Sequence, residues 1–285
     1  MHVPTFGPAG RPAVRALASA ALALALGHSA VAGAQDGAPP DGPPSGGAVT
    51  TADPTDPRGR WRLDMTVVTD AHIPVLGTTT AKARTTFVLD ISGTPGAYVA
   101  TTDPCRLRVS SNRSFASTRI PPAFETALKS RSAPLDTAQV EVGAPVKIDL
   151  RPQYMGFDPA KSGRVVPEDK EHPAVVDFEP DGDPGGTILL DAPLFGEVEV
   201  YIIQRAHSVL EGTWTSPNGA SGRANILDYA QRNIGASNRL FVSNPTIKPD
   251  SARSTWSMVR VGPTTTCAQL SGGLKAPADD KQYGP

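Results

Sequence analysis

The chain has 285 residues, with 27 basic and 28 acidic side chains and a formal net charge of −1. That balance gives no electrostatic reason to bind nucleic acid or an anionic membrane. Only two cysteines stand beside 29 prolines and 27 glycines, which excludes a disulfide-dense mini-protein and points to a turn-rich chain.

Residues 1–34 read as a secretory signal peptide. Arg11 and Arg15 form a basic start, residues 16–26 (ALASAALALAL) an apolar run, and Ala32-Gly33-Ala34 a small-x-small cleavage site. The run is shorter than the roughly 20 residues a membrane span needs, and no later stretch reaches that length. The chain is therefore expected to be exported, periplasmic or extracellular. The Ala-, Pro- and Gly-rich composition looks bacterial, so the glycosylation sequon at Asn112-Arg113-Ser114 reads as idle. Residues 35–57 are a Pro/Gly-rich linker with little to bury, and 271–285 read the same way.

Residues 58–270 are left for a single domain. In 58–75, Trp61, Leu63, Met65 and Val67 alternate with Arg62, Asp64 and Thr66, the period of a half-buried strand. Strands follow at 78–91, 97–102 and 105–110, separated by Ser92–Gly96 and Asp103-Pro104. Residues 120–128 (IPPAFETAL) predict a short helix, with prolines in its first turn. Residues 139–150 return to strand. The stretch 154–172 has no period and is long for a plain connection.

An acidic loop then leads into the most apolar strand pair, 187–190 and 197–214. Asn218-Gly219 predicts a type I′ hairpin; in 223–234, Ile226, Leu227, Ala230 and Ile234 would share a helical face, but a returning strand suits that turn and is the reading taken; 239–242 and 254–261 are the last strands. The fold class is all-β, mainly antiparallel, a barrel or a sandwich with at most one or two short helices. Two cysteines in an exported chain, without CxxC spacing, predict a Cys105–Cys267 disulfide.

Asp177, Glu179, Asp181 and Asp183 place oxygen ligands at alternate positions around Gly182, like the first half of a calcium loop. The closing bidentate acid is missing, since Ile188 stands there; Asp191 lies just beyond. The same residues also read as an acidic, solvated turn.

Gly59-Arg60-Trp61 at the start of the first strand resembles the Gly-x-Trp opening of the lipocalins. The resemblance implies an up-and-down barrel whose closed end is plugged by Trp61, with Arg260 of the last strand packed over the indole. It also implies a small apolar ligand inside. The sequence departs from the family where Pro104 follows Asp103, in place of a Thr-Asp-Tyr turn, and Gly212-Thr213-Trp214 repeats the tripeptide elsewhere.

Catalytic signatures are missing. There is no G-x-S-x-G and no H-E-x-x-H, and His72, His172 and His207 stand apart. A triad of His207, Asp191 and a serine needs contacts that spacing does not supply. Glu197 and Glu199 lie on one strand face about 7 Å apart, against the 5–5.5 Å or so of a retaining glycosidase pair. The reading taken is a non-enzymatic binding module. A structural or adhesion module with a calcium-stabilised loop is the second reading, and a secreted hydrolase the third.

Overall fold

A computed structural model describes residues 55–73, 77–112, 117–192 and 195–272. The expected signal peptide, most of the linker, the tail from 273 and the sequon's Arg113 and Ser114 lie outside these residues. The strands are β1 (Gly59–Ile73), β2 (Gly77–Thr94), β3 (Ala97–Ser111), β4 (Ser117–Arg119), β5 (Arg131–Asp136), β6 (Pro145–Met155), β7 (Gly186–Ala192), β8 (Gly196–Ser216), β9 (Gly219–Ala236), β10 (Thr246–Pro249) and β11 (Thr255–Arg260). Two short helices accompany them, α1 (Pro122–Ala127) and α2 (Cys267–Gly272). No helix among the described residues is long and apolar enough to cross a membrane.

All eleven strands join one antiparallel sheet, and eight of them close a ring. Its order is β1-β2-β3-β5-β6-β8-β9-β11, and β11 returns to β1 with Trp61 opposite Arg260. Ring neighbours follow one another along the chain, which is an up-and-down barrel and resolves the choice against a sandwich. Closure gives each ring strand a neighbour on both sides over part of its length. The other three strands extend one half of it. β7 pairs with the first half of β8 (Val200 opposite Ile188), β4 pairs with β7, and β10 pairs with the end of β1.

Inward positions follow the period of two. Trp61, Leu63, Met65 and Val67 are buried, while Arg60, Arg62 and Asp64 face out, where Arg60 pairs with Asp90 and Arg62 with Asp64. One apolar cluster centres on Trp61, Trp214 and Trp256. Each indole N–H is satisfied: Trp61 donates to the Pro57 carbonyl, Trp214 to Thr137 Oγ1 and Trp256 to the Glu211 carbonyl. A second cluster in the other half gathers Phe124, Ile188, Leu190, Val198, Val200, Ile202 and Phe241. Where β8 and β9 cross at Gly212 and Gly222, a Cβ on either would lie about 2 Å from the opposite backbone oxygen, so only glycine permits that approach.

Several expectations are corrected. Residues 97–110 form one strand, because Cys105 is an extra residue in a bulge opposite Thr86 and Phe87, and the bulge accommodates Pro104 without a ladder N–H. Residues 197–214 do belong to a single strand, as expected, within a span of 21 residues. The β8–β9 hairpin turns at Pro217-Asn218, since Ser216 pairs with Gly219 and proline's fixed φ excludes a type I′ corner. Residues 239–242 are not a strand. Asn238 accepts the Leu240 N–H and starts a 3-10 turn that buries Phe241. β6 begins only after Gly143 and runs on to Met155. β4, β5, β10 and α2 were not read from the sequence. The aperiodic stretch extends to Gly185, with Phe157, Val166 and Val175 against Ile203 and Ile234 and Phe178 against Phe124.

Candidate functional site

Each predicted site residue can now be placed. Cys105 and Cys267 form the disulfide, with Cα atoms 4.9 Å apart, tying α2 to the β3 bulge. Trp61 is fully buried, and the Arg260 guanidinium lies 4.3 Å from the centre of its ring. Arg260 also donates to the carbonyls of Asp56 and Arg58, so one side chain closes that end of the barrel.

The acidic loop uses its carboxylates on its own backbone. Asp177 accepts the N–H groups of Asp181 and Gly182, and Asp181 accepts those of Asp183 and, through its other oxygen, the Thr187 hydroxyl. Asp183 is engaged with Tyr201. Glu179 is 6% exposed and accepts the Thr187 N–H through Oε1, while its Oε2 has no hydrogen-bond partner. Burial pushes the Glu179 carboxyl up to about 7, with Asp181 and Asp177 adding repulsion. Among the described residues no three His, Cys, Asp or Glu side chains are grouped to hold a metal ion.

The imagined catalytic groups do not assemble. Asp191 faces Arg119 and Ser117, and Glu197 pairs with Arg119. Glu199 accepts the Tyr201 hydroxyl. His172 Nδ1 caps the Ala174 N–H. His207 meets Asp149 at 2.8 Å on the outer wall. Burial would raise the Asp149 carboxyl, but the bonds from His207 and Arg151 hold it below its ordinary value.

The feature the sequence reading missed lies inside the ring. As the strands pass from the tryptophan cluster to the Phe124 cluster, their inward positions turn polar. β8 shows this directly: Val198, Val200 and Ile202 are followed on the same face by Gln204, Ala206 and Ser208, then by Leu210 and Trp214. Thr85 on β2, Thr102 on β3, Gln153 on β6, and Tyr229 and Gln231 on β9 share this belt, as their registers with inward residues require. Gln153 is 4% and Gln204 2% exposed. Tyr229 donates to Gln231 Oε1 at 2.7 Å and lies 3.4 Å from Gln204 Oε1. Burial drives its phenol pKa well above the ordinary value.

Arg131 completes the belt from β5, on the same face as buried Ala133 and Leu135. The β5–β6 ladder holds only two residue pairs, Leu135 with Ile148 and Asp136 with Lys147. Beyond them β6 breaks register between Asp149 and Pro152, where Arg151 takes a positive φ of 57°. Asp149 fixes the outside of this bulge by accepting the Arg151 N–H and by its contact with His207. Arg131 Nη2 holds the inside by donating to the carbonyls of Arg151 and Pro152. Burial lowers the guanidinium to about 10, partly opposed by Asp149. Arg131 Nη1 and Gln153 Oε1 are buried without hydrogen-bond partners among the described residues.

Comparison with family models, with curated proteins and with solved structures finds no match.

Proposed function

We propose that this chain is a non-enzymatic binding protein, lipocalin-like in plan, that takes a small ligand inside its barrel. The carrying observation is the polar belt between two apolar clusters in a closed eight-stranded ring. An interior built only for stability would be apolar there, because a buried polar atom without a partner costs about 1–3 kcal/mol. Two such atoms sit in the belt. Ile226, Tyr229 and Gln231 face inward and retain part of their accessible surface.

The interior also changes the ligand expected from the sequence. The half around Trp61 is filled by three tryptophans and their neighbours. A purely apolar guest is therefore less suited than one whose polar groups meet the belt. The hydrolase reading draws no support from the His207–Asp149 pair, which faces outward and braces a bulge. The test is a thermal-shift screen of the mature chain against small polar and apolar compounds, followed by calorimetry on hits. The proposal expects a polar compound that raises the melting temperature saturably, by RT ln(1 + [L]/Kd) in stability. A flat response across the screen overturns it.

A further inference from the structure

We infer that the belt recognises a small carboxylic acid bearing a hydrogen-bond donor beside its carboxylate, such as a hydroxy or amino acid. This rests on the binding reading above and names the chemistry of its ligand. Arg131 supplies the anion half. Its Nη2 is committed to the Arg151 and Pro152 carbonyls, which fixes the plane of the guanidinium, and its Nη1 remains as a donor with no acceptor. A buried guanidinium held in this way favours a carboxylate, which it binds by charge-assisted hydrogen bonds.

The acceptor half comes from the glutamines. Gln153 follows Pro152 directly, and its Oε1 is an acceptor with no donor. Further round the ring, the Tyr229 hydroxyl donates to the amide oxygen of Gln231 and lies 3.4 Å from that of Gln204, which continues the polar lining. The interior thus offers a cationic donor from β5 and a neutral acceptor from β6. An anion alone meets the first and leaves the second unmet. A hydroxyl or ammonium next to the carboxylate meets both. The ligand reaches the orphan atoms where the wall is least laddered, between β5 and β6.

The experiment titrates the mature chain, disulfide intact, with lactate, alanine, propionate, lactamide and inorganic phosphate, read by calorimetry and by tryptophan fluorescence. Lactate or alanine should bind, propionate more weakly, and lactamide and phosphate not measurably. Arg131→Gln should lower affinity for the bound acid by about tenfold or more, the range of a hydrogen bond to a charged group. Gln153→Leu should keep propionate binding and erase the preference for lactate or alanine. If Arg131→Gln does not fold, as judged by circular dichroism, Gln153→Leu carries the test. Equal binding of lactamide and lactate, equal binding of phosphate, or full affinity in both variants overturns the inference. Failure of every small acid while other polar compounds bind in the thermal-shift screen sinks this inference alone. Failure in both sinks the binding reading with it.

Discussion

At the scale of single residues, Trp61 and Glu179 act in opposite senses. Trp61 is fully buried, stacked under Arg260 and tilted against Trp214 at 5.5 Å between ring centres. Trp61→Ala should cost about 3–5 kcal/mol, measured by urea unfolding, through lost contacts and the cavity left behind. Glu179 is a stored cost. Its folded pKa of about 7 lies above the unfolded value of 4.5, so the folded state binds the extra proton between those values. Its contribution therefore worsens as pH rises through 4.5–7 and is fully unfavourable above 7. Glu179→Gln keeps an acceptor for the Thr187 N–H and removes the charge. The variant should exceed the wild type by about 1–2 kcal/mol at pH 8, a figure reduced for solvent screening, and the difference should vanish near pH 4. A pH-independent difference would show that Glu179 is not the titrating group. In the same loop, Asp177 and Asp181 already serve backbone donors. Added calcium should leave the melting temperature unchanged, and a rise abolished by Asp181→Ala would restore the calcium reading.

At the scale of elements, the ring is uneven. β1 and β2 pair along fifteen consecutive residue pairs, from Gly59 with Ile91 to Ile73 with Gly77. β5 and β6 share two. Local opening follows the sparsest hydrogen bonding. In amide exchange, residues 149–151 and 153 should therefore exchange well before the inner residues of β1 and β2. Equal protection would place the weak seam elsewhere. The seam is also where sequence reading was weakest. β5 (RSAPLD) is short and interrupted by Pro134, and β6 carries Arg151-Pro152 inside it, all of which read as turn signals. The closed ring overrides those local preferences, because Arg131 and Asp149 satisfy the backbone from the two sides.

At the scale of the whole molecule, one covalent link joins distant parts of the chain. Cys105 and Cys267 are 162 residues apart in sequence. In the chain-entropy model such a loop contributes about 5 kcal/mol, an upper figure for a bond at the domain's margin. Cys267→Ser should lower the urea midpoint without changing the fold, since α2 lies outside the ring. Labelling with a thiol reagent should find no free cysteine in unreduced native protein and two after reduction. Two labels before reduction would remove the disulfide from solution.

The sequence by itself determined the all-β class, the inward face of β1 and the disulfide pairing. These follow from a period of two and from a count of two cysteines, whereas Trp61 under Arg260 was an expectation carried by the likeness of Gly59-Arg60-Trp61 to the lipocalin opening. The sequence also carried one unread signal: Gln204 on the same face as Val198, Val200 and Ile202. Tertiary structure alone decided that the sheet closes, since closure depends on β8 pairing with β9 while β11 bridges back to β1. It alone gathered Arg131, Gln153, Gln204 and Tyr229. They come from four strands, and only the register of those strands turns four scattered polar residues into one buried belt.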